Sequence, residues 1–587
     1  MIDLRKKKKS LHYHIHSIAN YRGRYYAVIA ILLLAMLGLV ARLVDLTVIN
    51  RAFLQGQGNA RTLRTITIPA YRGMIVDRNN APLAISTPVN SVWINPKDFA
   101  PSRTELTKLA DLLNMSKADI NDRAENAGDK EFVYLKRGID PSTGKAIAAL
   151  SIDGVYLQDE YKRFYPEGEV TAHVLGFTNI DDQGQEGLEL AYNQWLGGAD
   201  GLMKVLRDRY GHIVQTIDVL RKPKPGQNLQ LSIDRRIQYF AFQDLAAGMA
   251  HFKAKSGSVV VLDVRTGEIL AMVNWPSYNP NNRPAKDDGR YRNRAVTDLF
   301  EPGSTMKTFS MAAAMSTGKY SPNSTVDTSP GIIYINGHKV DDDGHNNGVI
   351  DMADVLKVSS NVGMSKITLS LPPENWWNMV HNAGFGQATE SGFPGERSGL
   401  LMNYRVWDPF VLATNSFGYG LSVTTLQLAR AYAILAADGM KRPVSFLKVN
   451  TPPVGDQVMT PKIACGLRAS LESVLSKSGG TAPLARVPGY RVTGKTGTAH
   501  IVGVHGYEKN DYNSIFVGMA PASRPRLVIA VVIHDPKNGQ YFGGYVAGPV
   551  FSKIMGETLR LLNIPPDDLS SAKPVAANAK APVGMTD

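Results

Sequence analysis

At 587 residues the chain is too long for one ordinary domain, so two or three are expected, and its 44% hydrophobic and 20% charged residues suit a globular protein. A single cysteine, Cys465, excludes an internal disulfide, argues against a cysteine-based zinc site, and in its apolar-to-small setting reads as plain packing. The net charge of +13 is partly a tail effect, since residues 1–24 hold seven Lys/Arg against Asp3; no nucleic-acid motif accompanies it, and a nucleic-acid partner is not expected.

Residues 1–24 read as a basic tail, in which the alternating His12, His14 and His16 are better taken as a solvated linker than as metal ligands. Residues 25–45 follow as one transmembrane helix: Tyr25 to Ala41 carry no charge, and Arg42 and Asp45 end the run. No small-x-small cleavage site follows, which disfavours a cleaved signal peptide, and the positive-inside rule puts the tail in the cytoplasm and the rest outside. Residues 50–225 read as an irregular α+β module, with short strands at 64–68, 91–94, 132–135 and 154–157 and a helical pattern over 102–113. Within it, Arg72-Gly73-Met74-Ile75-Val76-Asp77-Arg78 puts a turn before an apolar run flanked by charge, which predicts a structural salt-bridge network.

Lys222–Gln227 is rich in Pro and Gly and reads as a linker, after which residues 228–563 form a second unit. Ser256–Val264 and Glu268–Val273 are apolar strands joined by Arg265-Thr266-Gly267, a hairpin signal. Pro302 and Gly303 precede a helix whose first turn carries Ser304 and Lys307 on one face. Asp341-Asp342-Asp343-Gly344 lacks the spaced ligands of a calcium loop and predicts an exposed turn. Asp351–Lys366 and Leu421–Ala437 are helical in pattern, 491–501 is strand-like, and 514–519 and 527–534 are β-rich runs that would pair beside it. Residues 565–587, largely Pro, Ala, Ser and Lys, predict a disordered tail. The fold class expected is α+β, with the second unit an antiparallel sheet flanked by helices.

Ser-x-x-Lys occurs at five places in this chain and Ser-x-Asn at more than one, so neither is informative alone; Lys495-Thr496-Gly497 occurs once. In the order Ser304-x-x-Lys307, Ser359-Ser360-Asn361, Lys495-Thr496-Gly497, the first at a helix start and the last on a strand, the set is specific. The chemistry asks for these residue types. Ser304 would attack a carbonyl once Lys307, kept neutral by burial and by the like charge of Lys495, takes its proton. Ser359 would pass the proton to a leaving amine, and Asn361 would hold Lys307 and a substrate amide together. Lys495, Thr496 and Thr498 suit a substrate carboxylate, Gly497 a close substrate approach, and Ser360 is grouped with them as substrate-binding. The backbone N–H groups of Ser304 and Thr498 would form the oxyanion hole. No metal and no cofactor is required.

With these motifs the chain resembles the class B penicillin-binding proteins, and more narrowly the septal, penicillin-binding protein 3 (FtsI) type of Gram-negative bacteria. The likeness spans about residues 20 to 560 and includes the Arg72–Arg78 box, Arg163-Phe164-Tyr165-Pro166, Ala172–Gly176, Gly184–Glu189 and Ser416-Phe417-Gly418-Tyr419-Gly420. Asn80 departs from it, standing where the first box usually continues with glycine. The resemblance implies that residues 50–225 are a dimerisation or pedestal domain and 228–563 a transpeptidase domain. It implies a serine-type D-alanyl-D-alanine transpeptidase that cross-links peptidoglycan stem peptides during septum formation and is acylated by β-lactams. It further implies the bacterial inner membrane at the division septum, a periplasmic catalytic domain, and divisome membrane proteins, including a polytopic glycosyltransferase, as partners. The elongation-type transpeptidase shares every catalytic motif and is the alternative; a D,D-carboxypeptidase or β-lactamase, and a scaffold without activity, are the more distant ones.

Overall fold

A computed structural model describes residues 18–208, 213–284, 289–503 and 506–568. Most of the basic tail with its histidines, and most of the Pro/Ala-rich C-terminal stretch, lie outside the described residues. The helix Ile18–Val44 runs through a π turn, Asp45–Ile49, and on to the helix Arg51–Thr62. Within it Arg22–Ile49 is long and apolar enough to cross a bilayer, and none of its most apolar stretch is buried against the rest of the chain. The two charges that interrupt the apolar run offset each other: Arg42 donates to Asp45 at 2.6 Å one turn along, and Asn50 caps the other carboxylate oxygen at 2.6 Å.

The N-terminal module is built on a mixed sheet in which Pro82–Ile94 pairs with Ile75–Val76, Val133–Ile139 and Val155–Phe164. The helix Arg103–Leu113, closed by a Ser102–Glu105 capping box, packs Leu109 and Leu113 onto Val92, Ile94 and Leu135. The expected salt-bridge network is present and buried. Arg72 and Arg163 each bind one carboxylate oxygen of Glu189, at 2.7 and 2.6 Å, with all three side chains at most 1% exposed. The segment Leu229–Gln230, which follows the expected linker, pairs parallel with Ile75–Val76, so the start of the second unit is a strand of the first. Asn80 has φ +65°, the left-handed region in which Gly is the easy choice and Asn the next.

The second module holds an antiparallel sheet of five strands in the order Ile269–Trp275, Ser256–Asp263, Leu527–His534, Gly506–Ala520, Thr493–Gly503. Its central strands are near-continuous Val and Ile because both faces are covered. The helices Arg235–Phe252 and Gly543–Leu561 pack on one face, and Thr425–Ala436 covers the other. The expected hairpin is there, turning at Gly267 with φ +73°.

Three expectations change. The single helix over Asp351–Lys366 is two, Met352–Val358 and Asn361–Leu369, broken where Ser359 adopts φ +62°. Cys465 is exposed on the helix Pro461–Glu472, not packed inside. The helix expected over Leu421–Ala437 spans Thr425–Ala436, because the Thr424–Gln427 capping box fixes its start and Leu421–Thr424 remain extended.

Candidate active site

Ser304 does not open an α-helix directly. Gly303–Met306 form a 3-10 turn, and the α-helix begins at Lys307 and runs to Ser316. Gly303 has φ +53°, and its N–H donates to Gly418 O at 3.2 Å. A Cβ at Gly418 would lie 2.1 Å from Gly303 O, so the Phe-Gly-Tyr-Gly stretch serves as a flat wall against the nucleophile turn. Tyr432 donates to Thr305 O at 2.8 Å and shares a 2.8 Å hydrogen bond with Thr308. Gly303, Thr305, Met306 and Lys307 are buried; Ser304, amid them, is half-buried, and none of the site's side-chain hydrogen bonds falls on its hydroxyl.

Lys307 is fully buried, and its Nζ points at the turn of the broken helix: 2.5 Å to Ser359 O, 3.2 Å to Ser359 Oγ and 2.7 Å to Asn361 Oδ1. Lys495, on the edge strand Thr493–Gly503 and also fully buried, reaches the same Ser359 Oγ at 3.0 Å. One serine hydroxyl thus joins two lysines contributed by distant parts of the chain. Burial brings the Lys307 amine down to about 7, against an opposing pull from the Asp342 and Asp343 carboxylates. Burial, and then the charge of Lys307, hold Lys495 well below the usual lysine range. Two ammonium groups around one hydroxyl is the state this arrangement disfavours.

The turn itself is held by Asp342, which sequence reasoning placed on an exposed turn. It is 7% exposed, and its carboxylate accepts from Ser360 Oγ at 2.6 Å, Asn361 N at 2.6 Å and Val362 N at 2.8 Å. Its only sequence signal was an acidic cluster some twenty residues before the Ser-x-Asn motif, and nothing local told a buried carboxylate from a solvated one. Ser360, grouped with the substrate-binding residues, is 1% exposed; its hydroxyl donates to Asp342 and caps Gly363 N at 2.8 Å, so it faces inward and builds the turn. Asn361 engages Lys307 as expected, and its Nδ2 also donates to Asp341 O at 2.9 Å.

Thr496 Oγ1 meets Thr481 Oγ1 at 3.2 Å, and Thr498 Oγ1 accepts from Gly543 N at 3.0 Å. The chain itself also holds Gly497 to glycine. A Cβ there would lie 2.7 Å from Pro302 O, so the close approach is that of the nucleophile's own segment. A Cβ at Gly303 would in turn lie 3.3 Å from Thr498 O. The structure therefore brings Ser304, Lys307, Ser359, Asn361, Lys495 and the Thr496–Thr498 strand into one cleft. It supplies a half-buried serine, a buried amine of lowered pKa, and a hydroxyl bridging that amine to a second. Among the described residues no cluster of three or more His, Cys, Asp or Glu is placed to hold a metal ion.

The family model of the penicillin-binding protein transpeptidase domain matches residues 257–556, and that of the penicillin-binding protein dimerisation domain matches 67–231. The chain is 45% identical over 557 residues to the probable peptidoglycan D,D-transpeptidase PbpC of Pseudomonas aeruginosa, covering 95% of this chain and 98% of that one. It is 41% identical over 559 residues to the peptidoglycan D,D-transpeptidase FtsI of Escherichia coli, covering 94% of each. Among solved structures it is similar to penicillin-binding protein 3 of Mycobacterium tuberculosis complexed with aztreonam. That likeness has a TM-score of 0.67 and 28% identity over 85% of this chain and 98% of the other.

Proposed function

This chain belongs to the class B penicillin-binding proteins and is a peptidoglycan D,D-transpeptidase, and we propose that it cross-links stem peptides at the division septum through an acyl-enzyme on Ser304. On this reading Lys307, as a free amine, takes the Ser304 proton while Oγ attacks the carbonyl of the penultimate D-alanine of a donor stem peptide. The backbone N–H groups of Ser304 and Thr498 hold the oxyanion, and the pressing of Gly303 against Thr498 supports pairing them. Ser359, between the two lysines, passes a proton to the departing D-alanine amine. Lys495, Thr496 and Thr498 receive the terminal carboxylate, which returns a proton to Lys495 by favouring its charged form. An amine from a neighbouring stem peptide then resolves the ester. A β-lactam opened by Ser304 gives the same ester with its leaving group still attached.

The single observation that carries this chemistry is the Lys307–Ser359–Lys495 relay beside a half-buried serine. The N-terminal apolar helix supports a single-pass inner-membrane anchor with the basic tail in the cytoplasm and the catalytic module in the periplasm. The septal role is supported by the 41% identity to FtsI and by the Phe417-Gly418-Tyr419-Gly420 wall; divisome membrane proteins, a polytopic glycosyltransferase among them, are the partners proposed. The 45% identity to PbpC, a name that carries no septal role, leaves a second reading, a transpeptidase of the side wall. Fluorescent tagging of the chain in its own cells, with depletion, separates the two. Midcell rings and filamentation on depletion are expected; a side-wall pattern with rounding cells would overturn the septal role and leave the enzymology intact.

A further inference from the structure

Beside the nucleophile turn runs a groove of about 790 Å³, whose lining includes Phe300, Glu301, Gly420 and His500 near the catalytic residues and Lys255 and Arg397 at the rim. Glu301 stands three residues before Ser304, and His500 two after Thr498, so the groove opens beside the segments that carry the nucleophile and the expected oxyanion donors. One oxygen of Glu301 is occupied: Oε1 accepts from Gly420 N at 2.8 Å and from Tyr507 OH at 3.0 Å. The other, Oε2, is buried and has no hydrogen-bond partner. Buried carboxylate oxygens are nearly always paired, and this one, enclosed in the wall of a groove that its own residue lines, is left for a donor that enters from the groove. Tyr507 and Gly420 fix the carboxyl so that it cannot swing away. At the rim, Lys255 and Arg397 are exposed and make no ion pair among the described residues. The groove lining thus carries the Glu301 carboxyl, an Asp298 that is ion-paired with Arg292 and Arg294, and the exposed cations Lys255 and Arg397.

We propose that Glu301 is the recognition residue for the acceptor amine, receiving its ammonium on Oε2, and that the groove takes acceptors whose amine has a carboxylate nearby, held by Lys255 and Arg397. The inference rests on the transpeptidase activity and not on the septal role. Burial pushes the Glu301 carboxyl up, which suits it to take a proton as well as to bind a cation. In the transfer, the ammonium gives one proton to Glu301 and its nitrogen forms a bond to the acyl carbon. The acyl carbon–Oγ bond to Ser304 breaks, and the second nitrogen proton passes through Lys307 to Oγ and regenerates the hydroxyl. Glu301 then returns its proton to water. Acylation by the donor shares Lys307 and Ser304 with this step but does not use Glu301, so loss of the Glu301 charge separates the donor and acceptor halves.

The test uses the full chain in detergent with a synthetic D-alanyl thioester as acyl donor and D-alanine as acceptor, following transfer against hydrolysis. Penicillin acylation of Ser304 reports the donor half and the integrity of the fold. Glu301→Gln keeps an oxygen for Gly420 N and Tyr507 OH but removes the charge. The expected result is an acceptor concentration for half-maximal transfer raised about tenfold or more, as for loss of one charge-assisted hydrogen bond, with penicillin acylation changed less than about threefold. Glu301→Asp is expected to recover part of the loss, and D-alaninamide to be a poorer acceptor than D-alanine in the parent enzyme. Unchanged acceptor dependence in Glu301→Gln would overturn the proposal. So would acylation and transfer falling together, which would mean that Glu301 merely props the nucleophile turn.

Discussion

At the scale of single residues the proposed mechanism turns on the protonation of Lys307. Its amine is brought to about 7 by burial, and only the free amine can take the Ser304 proton. Below that value the amine is protonated, so the second-order rate of acylation by a fluorescent penicillin is expected to fall about tenfold per pH unit. Above it the rate should level off, with Ser304→Ala as the unlabelled control; a flat profile from about pH 5 to about pH 9 would contradict a lysine base. The residue types of the proposed site were legible in the sequence because nucleophile, base and relay chemistry asks for them and they sit in three short motifs. The sequence did not show that the Ser360 hydroxyl turns inward or that Pro302 approaches Gly497, because both belong to tertiary contacts between segments far apart in the chain.

At the scale of elements, the decisive feature is a helix that stops and restarts. Met352–Val358 ends at Ser359 in the left-handed region, and Asn361–Leu369 begins again with Ser360 and Asp342 satisfying the backbone donors of its first turn. Sequence periodicity ran straight through this break because both halves carry the same helical pattern, and the stop depends on a carboxylate nineteen residues upstream of Asn361. The hairpin at Gly267 and the sheet strands were legible, since their turn chemistry and apolar runs are local. Replacing Asp342 by Asn leaves three donors poorly matched and loosens the turn that carries Ser359 and Asn361. Acylation is expected to drop about 10- to 100-fold, the scale of a small misplacement of catalytic groups. Asp342 also draws the Lys307 pKa upward, so its loss should move the acid limb of the rate profile to lower pH while the plateau falls. A profile that falls without shifting would assign Asp342 a purely mechanical part.

At the scale of the whole molecule, the two modules are joined by more than a linker. The pairing of Leu229–Gln230 with Ile75–Val76 and the buried Arg72–Glu189–Arg163 cluster make the first module part of the second one's foundation. Glu189→Gln would leave two buried guanidinium groups sharing one neutral amide. The expected cost is about 3–5 kcal/mol, read as a lowered denaturant midpoint of the full chain. Since none of Glu189's described contacts involves a cleft residue, penicillin acylation well below the transition should remain close to normal; its parallel loss would mean that the junction also shapes the cleft. Length predicted two or three domains and the sequence held one apolar run of membrane-spanning length, whereas the strand shared across the module boundary followed a Pro/Gly run that gave no sign of it.

The glycines at 303, 418 and 497 have a consequence for cells under antibiotic selection. Each lies where another main-chain segment passes too close for a side chain, or in a conformation that L residues rarely adopt. A mutation there would disable the cell's own cross-linking along with its capture of the drug. Substitutions at these three codons are therefore expected to lower penicillin acylation and cross-linking together, which leaves selection little to gain there.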